Sequence, residues 1–71
     1  MTLDLHGVKH QDVKPILDKF IWNSMKKNLS HIIIITGNSE DMKSIVKETA
    51  IEYGFEAKSI LSNTQLTIDL I

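Results

Sequence analysis

The sequence predicts an α/β domain of the two-layer α+β kind, ordered β-α-β-α-β-β, in which a four-stranded mixed sheet carries two helices on one face. Three observations predict it. Apolar residues alternate with polar ones near both termini, four consecutive isoleucines stand mid-chain, and the two segments flanking them repeat apolar residues at spacings of three and four. With 71 residues, the chain is expected to form a single domain, 1–71, around one core.

The first strand is Leu3-Asp4-Leu5-His6-Gly7. Strand side chains alternate between faces, so Leu3 and Leu5 point to the core while Asp4 and His6 share the other face, roughly 6 to 7 Å apart at Cα. Gly7 lets the chain turn sharply out. A carboxylate and an imidazole together make this the place where chemistry is expected.

Val13, Ile16, Leu17, Phe20 and Ile21 then form one stripe of a helix over residues 11–27. Pro15 is tolerated in a first turn, which makes Asp12 the expected N-cap. Lys26 and Lys27 favour the carbonyl end of the helix dipole, and Asn28 can take the left-handed cap. His31 to Thr36 is apolar at almost every position, as expected of a central strand, and strand-helix-strand order implies parallel pairing through a right-handed crossover. Ser39 caps a second helix with Glu40 and Asp41 in its first turn. Its stripe is Met42, Ile45, Val46, Thr49, Ala50 and Tyr53, and Gly54 ends it. Phe55–Leu61, a turn at Ser62-Asn63-Thr64, and Gln65–Ile71 read as a C-terminal hairpin.

Two crossovers around one central strand put both helices on the same side and leave the other sheet face uncovered. Asp4, His6, one alternate pair of the isoleucines, Thr67 and Asp69 are expected there. An apolar patch beside polar groups suggests a surface for a protein partner or a homodimer.

Composition narrows the function classes. The absence of cysteine excludes disulfides and thiolate metal sites and suits a reducing compartment, though it would suit other places too; a cytoplasmic, intracellular location is expected, with a viral origin left open. The longest apolar run, Ile32–Ile35, is far short of the roughly 20 residues of a membrane span, and no membrane association is expected. Eight Lys plus Arg against nine Asp plus Glu give a net charge of −1. A phosphate-binding surface must therefore be local.

The opening Leu-Asp-Leu-His-Gly, the strand ending Ile35-Thr36-Gly37, and a second helix that spaces Met42, Val46 and Ala50 by four together resemble the small MutS-related (Smr) domain family over nearly the whole chain. The resemblance implies the fold of the C-terminal domain of translation initiation factor three, the β-α-β-α-β-β order reached above from periodicity. It also implies nucleic-acid binding, RNA or DNA. Several family members cleave RNA or nick DNA with the Asp and His of Leu-Asp-x-His-Gly, here Asp4 and His6. The family's second motif, Thr/His-Gly-x-Gly, is matched at Thr36 and Gly37, but Ser39 or a deletion replaces its second glycine. The glycine-rich stretch between the last two strands is replaced by Leu61-Ser62-Asn63-Thr64-Gln65.

An imidazole near its ordinary pKa of about 6.5 can take a proton from a hydroxyl at neutral pH, and a carboxylate can orient it or hold a divalent cation. RNA brings its own 2′-hydroxyl nucleophile, whereas DNA calls for a metal-activated water. No cofactor is required for the first; Mg²⁺ or Mn²⁺ would serve the second, with Asp4 and Asp69 as the only weak ligand candidates. Around the pair, Gly7, Lys9, His10 and Lys14 at the start of the first helix, with Thr36, Gly37, Asn38 and Ser39 before the second, are candidate nucleic-acid contacts. Each is equally readable as a solvated helix start, and Glu40 and Asp41 oppose anion binding. Trp22 lies nearly opposite the apolar stripe and should be exposed, either as a lid on Met25 or as a partner contact. Lys43 and Lys47 read as an exposed, solvated face, and His31 as an edge-of-core residue.

Two functions remain open. One is an endonuclease acting through Asp4 and His6, favoured by the intact first motif. The other is a non-catalytic module that binds nucleic acid or protein through the open sheet face, favoured by the net charge and the missing glycines.

Overall fold

A computed structural model describes residues 1–60 and 63–71. Its elements are β1 (Thr2–Asp4), α1 (His10–Lys26), β2 (His31–Ile35), α2 (Glu40–Glu52), β3 (Ala57–Ser59) and β4 (Gln65–Asp69). The sheet order is β1-β2-β4-β3. β1 runs parallel to β2, and β4 is antiparallel to both β2 and β3. This is the expected α+β fold with the isoleucine strand inside the sheet.

Alternation decides what β2 buries. Ile32 and Ile34 are fully buried with Leu66 and Ile68 of β4, against Val13, Leu17 and Ile21 of α1 and Met42, Val46 and Ala50 of α2. Each buried Leu or Ile of this kind contributes roughly 1.5–3 kcal/mol. Ile33 and Ile35 are half-buried on the opposite face. The register sets Ile33 in a row with Thr2, Thr67 and Lys58, and Ile35 in a row with Asp4 and Gln65.

Several boundaries differ from the sequence-based expectation. α1 begins one residue early, its N-cap is Lys9 rather than Asp12, and no side chain caps it. Asp12 lies inside the first turn, where its N–H reaches the Lys9 carbonyl at 2.9 Å and its charge complements the helix dipole. Pro15 consequently sits in the second turn, on an exposed face where water can reach the Gln11 carbonyl. Ile16 falls at the edge of the stripe and is 40% exposed, while two turns further on Ser24 is fully buried, its hydroxyl donating back to the Phe20 carbonyl at 2.8 Å. Asn28 has φ +57, the left-handed cap expected of it, with the Asn28 and Leu29 N–H groups closing onto Met25 and Ser24.

α2 starts as expected, with the Ser39 hydroxyl accepting from the Met42 N–H at 3.1 Å. Its inward stripe is one position wider than apolar spacing implies. Lys43, expected on a solvated face with Lys47, is only 3% exposed, and its ammonium reaches Glu40 at 3.3 Å; Lys47 is exposed. A lysine stem can line an apolar surface while its charged tip finds a partner. β3 is shorter than expected because pairing with β4 covers only Ala57 to Ser59. Of the expected turn, Asn63 and Thr64 are turn residues, while Leu61 and Ser62 lie outside the described residues.

Candidate functional site

β1 and β2 are parallel, so both leave the sheet at the same end, and β4 enters there. β1 stops at Asp4, although Leu5 adds one more ladder bond by donating its N–H to the Ile35 carbonyl at 2.8 Å. The Asp4 carboxylate then accepts the His6 main-chain N–H at 2.9 Å, an Asx turn. The Val8 N–H returns to the Leu5 carbonyl at 3.0 Å, and Gly7 adopts φ +83. His6 is therefore a turn residue and not, as alternation predicts, the strand neighbour of Asp4. The hydrogen bond that joins them runs from the His6 main-chain N–H to the carboxylate, leaving the imidazole out.

The second exit is bound differently. Thr36 is 2% exposed, and its N–H, its hydroxyl and the Gly37 N–H all converge on the Thr64 carbonyl, at 2.8, 3.2 and 3.1 Å. The Thr36 hydroxyl also lies 3.0 Å from the Gly37 carbonyl. Gly37 has φ +69 and lies under the His6 ring, so that a Cβ built on it would come 3.1 Å from His6 Cδ2. The two motifs therefore touch, His6 against Gly37, and the turn into β4 is tied to the second one. His6 is exposed, and among the described residues neither ring nitrogen has a hydrogen-bond partner. Among those residues no cavity encloses the site, and Asp4, His6, Gly7, Lys9 and His10 are all exposed, forming an exposed ledge.

Lys9, His10 and Asn38 are exposed around this ledge. The Ser39 hydroxyl is already used as the α2 cap, and Glu40 and Asp41 answer the dipole of that helix end. Lys14 is drawn away to α2, binding Glu52 at 3.0 Å and Asp18 at 3.4 Å. The Glu52 hydrogen bond, chiefly, raises its pKa above the usual lysine value, with Asp18 adding to it and partial burial opposing it. The Tyr53 hydroxyl donates to the same Asp18 at 3.1 Å; burial, then this bond, pushes its pKa above the usual tyrosine value.

Asp69 pairs with His31 at the far end of β4, whereas the row containing Asp4 meets β4 at Gln65. The sheet register thus keeps Asp4 and Asp69 from sharing a cation. Among the described residues no group of three or more His, Asp or Glu side chains could hold a metal ion, and Asp4 alone, with one oxygen engaged, is a poor fit to Mg²⁺ or Mn²⁺. Trp22 is 55% exposed on α1. Sequence reasoning missed the Thr36 knot and the burial of Lys43. A lone threonine closing an isoleucine strand was a usable sign of the first, because a buried hydroxyl needs a partner.

No helix among the described residues is long and apolar enough to cross a membrane. Comparison with curated proteins and with solved structures gives no significant match. The family model of the Smr domain, however, matches residues 3–63 of the 71, a stretch that takes in both strand exits and the start of the turn into β4. The chain belongs to the Smr domain family, a family of nucleic-acid-binding and endonuclease-type domains.

Proposed function

We propose that this domain binds RNA across the open ledge and cleaves it, with His6 as the proton-transfer group beside Asp4. The observation that carries the reading is the exposed His6 ring lying on Gly37 with both nitrogens available among the described residues. An open ledge suits a polymer backbone better than a small enclosed ligand. Lys9 supplies local positive charge for phosphates, and Gly7, His10, Gly37 and Asn38 offer exposed or half-exposed contacts beside it; Thr36, expected as a further contact, is buried on the Thr64 carbonyl, and the Ser39 hydroxyl is spent on the α2 cap, so both act as supports. His6 takes the proton of the 2′-hydroxyl as its oxygen bonds to phosphorus; the bond from phosphorus to the 5′-oxygen breaks, leaving a 2′,3′-cyclic phosphate, the 5′-oxygen takes a proton from water, and His6 returns its own to solvent. RNA is favoured over DNA because it carries its own nucleophile, which demands least of a site with a single, partly engaged carboxylate.

A non-catalytic binding module is the second reading. It is favoured by Ser39 standing where the family has a glycine, and it would use the open sheet face or the exposed Trp22 to meet nucleic acid or a protein. A nuclease assay on single- and double-stranded RNA and DNA, with and without Mg²⁺ or Mn²⁺, separates the two. Cleavage of RNA by the wild type and its loss in His6→Ala is expected; equal product from both proteins would sink the catalytic reading.

A further inference from the structure

Given the reading of His6 as the proton-transfer group, on which this inference rests, we infer that Asp4 is a positioning residue that acts through the main chain of His6. Its oxygen is needed as an acceptor, and its charge is dispensable. A carboxylate next to an imidazole has three ordinary uses: to orient the ring directly, to hold a cation, or to hold the chain. The first is not what the site shows, because Asp4 binds the His6 main-chain N–H at 2.9 Å and, among the described residues, neither ring nitrogen is bonded to anything. The second lacks a companion, because the register places Asp69 opposite His31 and away from the row of Asp4.

The third use is built in detail. The turn is pinned at its base by Leu5 on the Ile35 carbonyl and closed by Val8 on the Leu5 carbonyl, with Gly7 at φ +83 completing the reversal. Between those two bonds the main chain of His6 has, among the described residues, one fixed point, the Asp4 oxygen. On its other side the ring rests on Gly37, at the 3.1 Å that a Cβ there would leave to His6 Cδ2. The ring is thus located from the main chain by Asp4 and from its edge by Gly37. An Asx turn requires an oxygen acceptor two residues before the N–H, and asparagine supplies one as aspartate does. Alanine does not. The turn is exposed, so in Asp4→Ala water can satisfy the His6 N–H, and the loss falls on the placement of the ring more than on folding.

The test compares wild type, Asp4→Asn, Asp4→Ala and His6→Ala, first in RNA cleavage and second in the NMR cross-peak between His6 Hδ2 and the Gly37 Hα protons. Asp4→Asn is expected to stay within about threefold of wild type and to keep the cross-peak, an amide oxygen being a somewhat weaker acceptor. Asp4→Ala is expected to lose about tenfold or more in kcat, with KM nearly unchanged and the cross-peak weakened. Asp4→Asn as inactive as Asp4→Ala, with the cross-peak intact, would overturn the inference and assign the work to the charge itself. If the wild type cleaves nothing, the cleavage reading fails by that result alone, and the cross-peak still decides this one: retained at full strength in Asp4→Ala, it refutes positioning; weakened there and kept in Asp4→Asn, it supports it.

Discussion

The two strands that end at the ledge leave the sheet by the same device, a glycine at positive φ, +83 at Gly7 and +69 at Gly37. They are held in opposite ways. Past the buried Leu5 and its last ladder bond, the first exit is exposed and hangs on one side-chain acceptor and one short turn bond, whereas the second is buried at Thr36 and gathers three donors on the Thr64 carbonyl. The family motif that is intact in sequence is the loosely held one, and the motif that is eroded is the anchored one. If His6 acts as proposed, its ring must stay open to solvent and substrate, so the exit that offers it cannot also be buried. The exit that supports it can.

Substitutions at the two glycines break this comparison most directly. Gly37→Ala should lower stability by about 1–2 kcal/mol through left-handed strain. It should also push the His6 ring off its seat, with a loss of cleavage of about tenfold to a hundredfold. A His6 ring spectrum unchanged in that variant would show that the contact does not locate the ring. Thr36→Val should follow, at about 1–2 kcal/mol in urea unfolding, since it deletes a buried hydroxyl donor; Thr36→Ser should recover most of it. Gly7→Ala should cost only about 1 kcal/mol, because nothing lies within 4 Å of its Cβ position, and the ring should stay in place.

The smallest expected effect is a control away from both exits. The pKa values of Tyr53 and Lys14 are raised in the fold, so each contributes stability that is fully present below its unfolded value and is lost as pH rises through the folded one. Urea midpoints should therefore decline above about pH 10. Tyr53→Phe should flatten that decline, and an identical pH profile for the variant would show that the Asp18 cluster does not report on folding.

Much of this was legible in the chain. The isoleucine run marked β2 as an inner strand, Ser39 and Asn28 marked helix ends, and Trp22 was placed on the exposed side of α1. The misses have separate causes. Alternation puts Asp4 and His6 on one strand face because it assumes the strand continues, whereas an Asp two residues before a main-chain N–H ends it sooner. Lys14 was assigned to the phosphate surface because nothing local reveals a carboxylate 38 residues away, Glu52, that takes its charge. Lys43 was assigned to solvent because its type outweighed its place on the wheel.

Periodicity and turn chemistry, which are properties of neighbouring residues, determined the element order, the inner strand and the two glycine exits from the sequence alone. Only the tertiary structure decided that His6 rests on Gly37, that Thr64 anchors the second exit, and that Asp69 lies too far along the sheet to join Asp4. Those are contacts between segments far apart in the chain. Their geometry is set by strand register and helix packing, which no local pattern encodes.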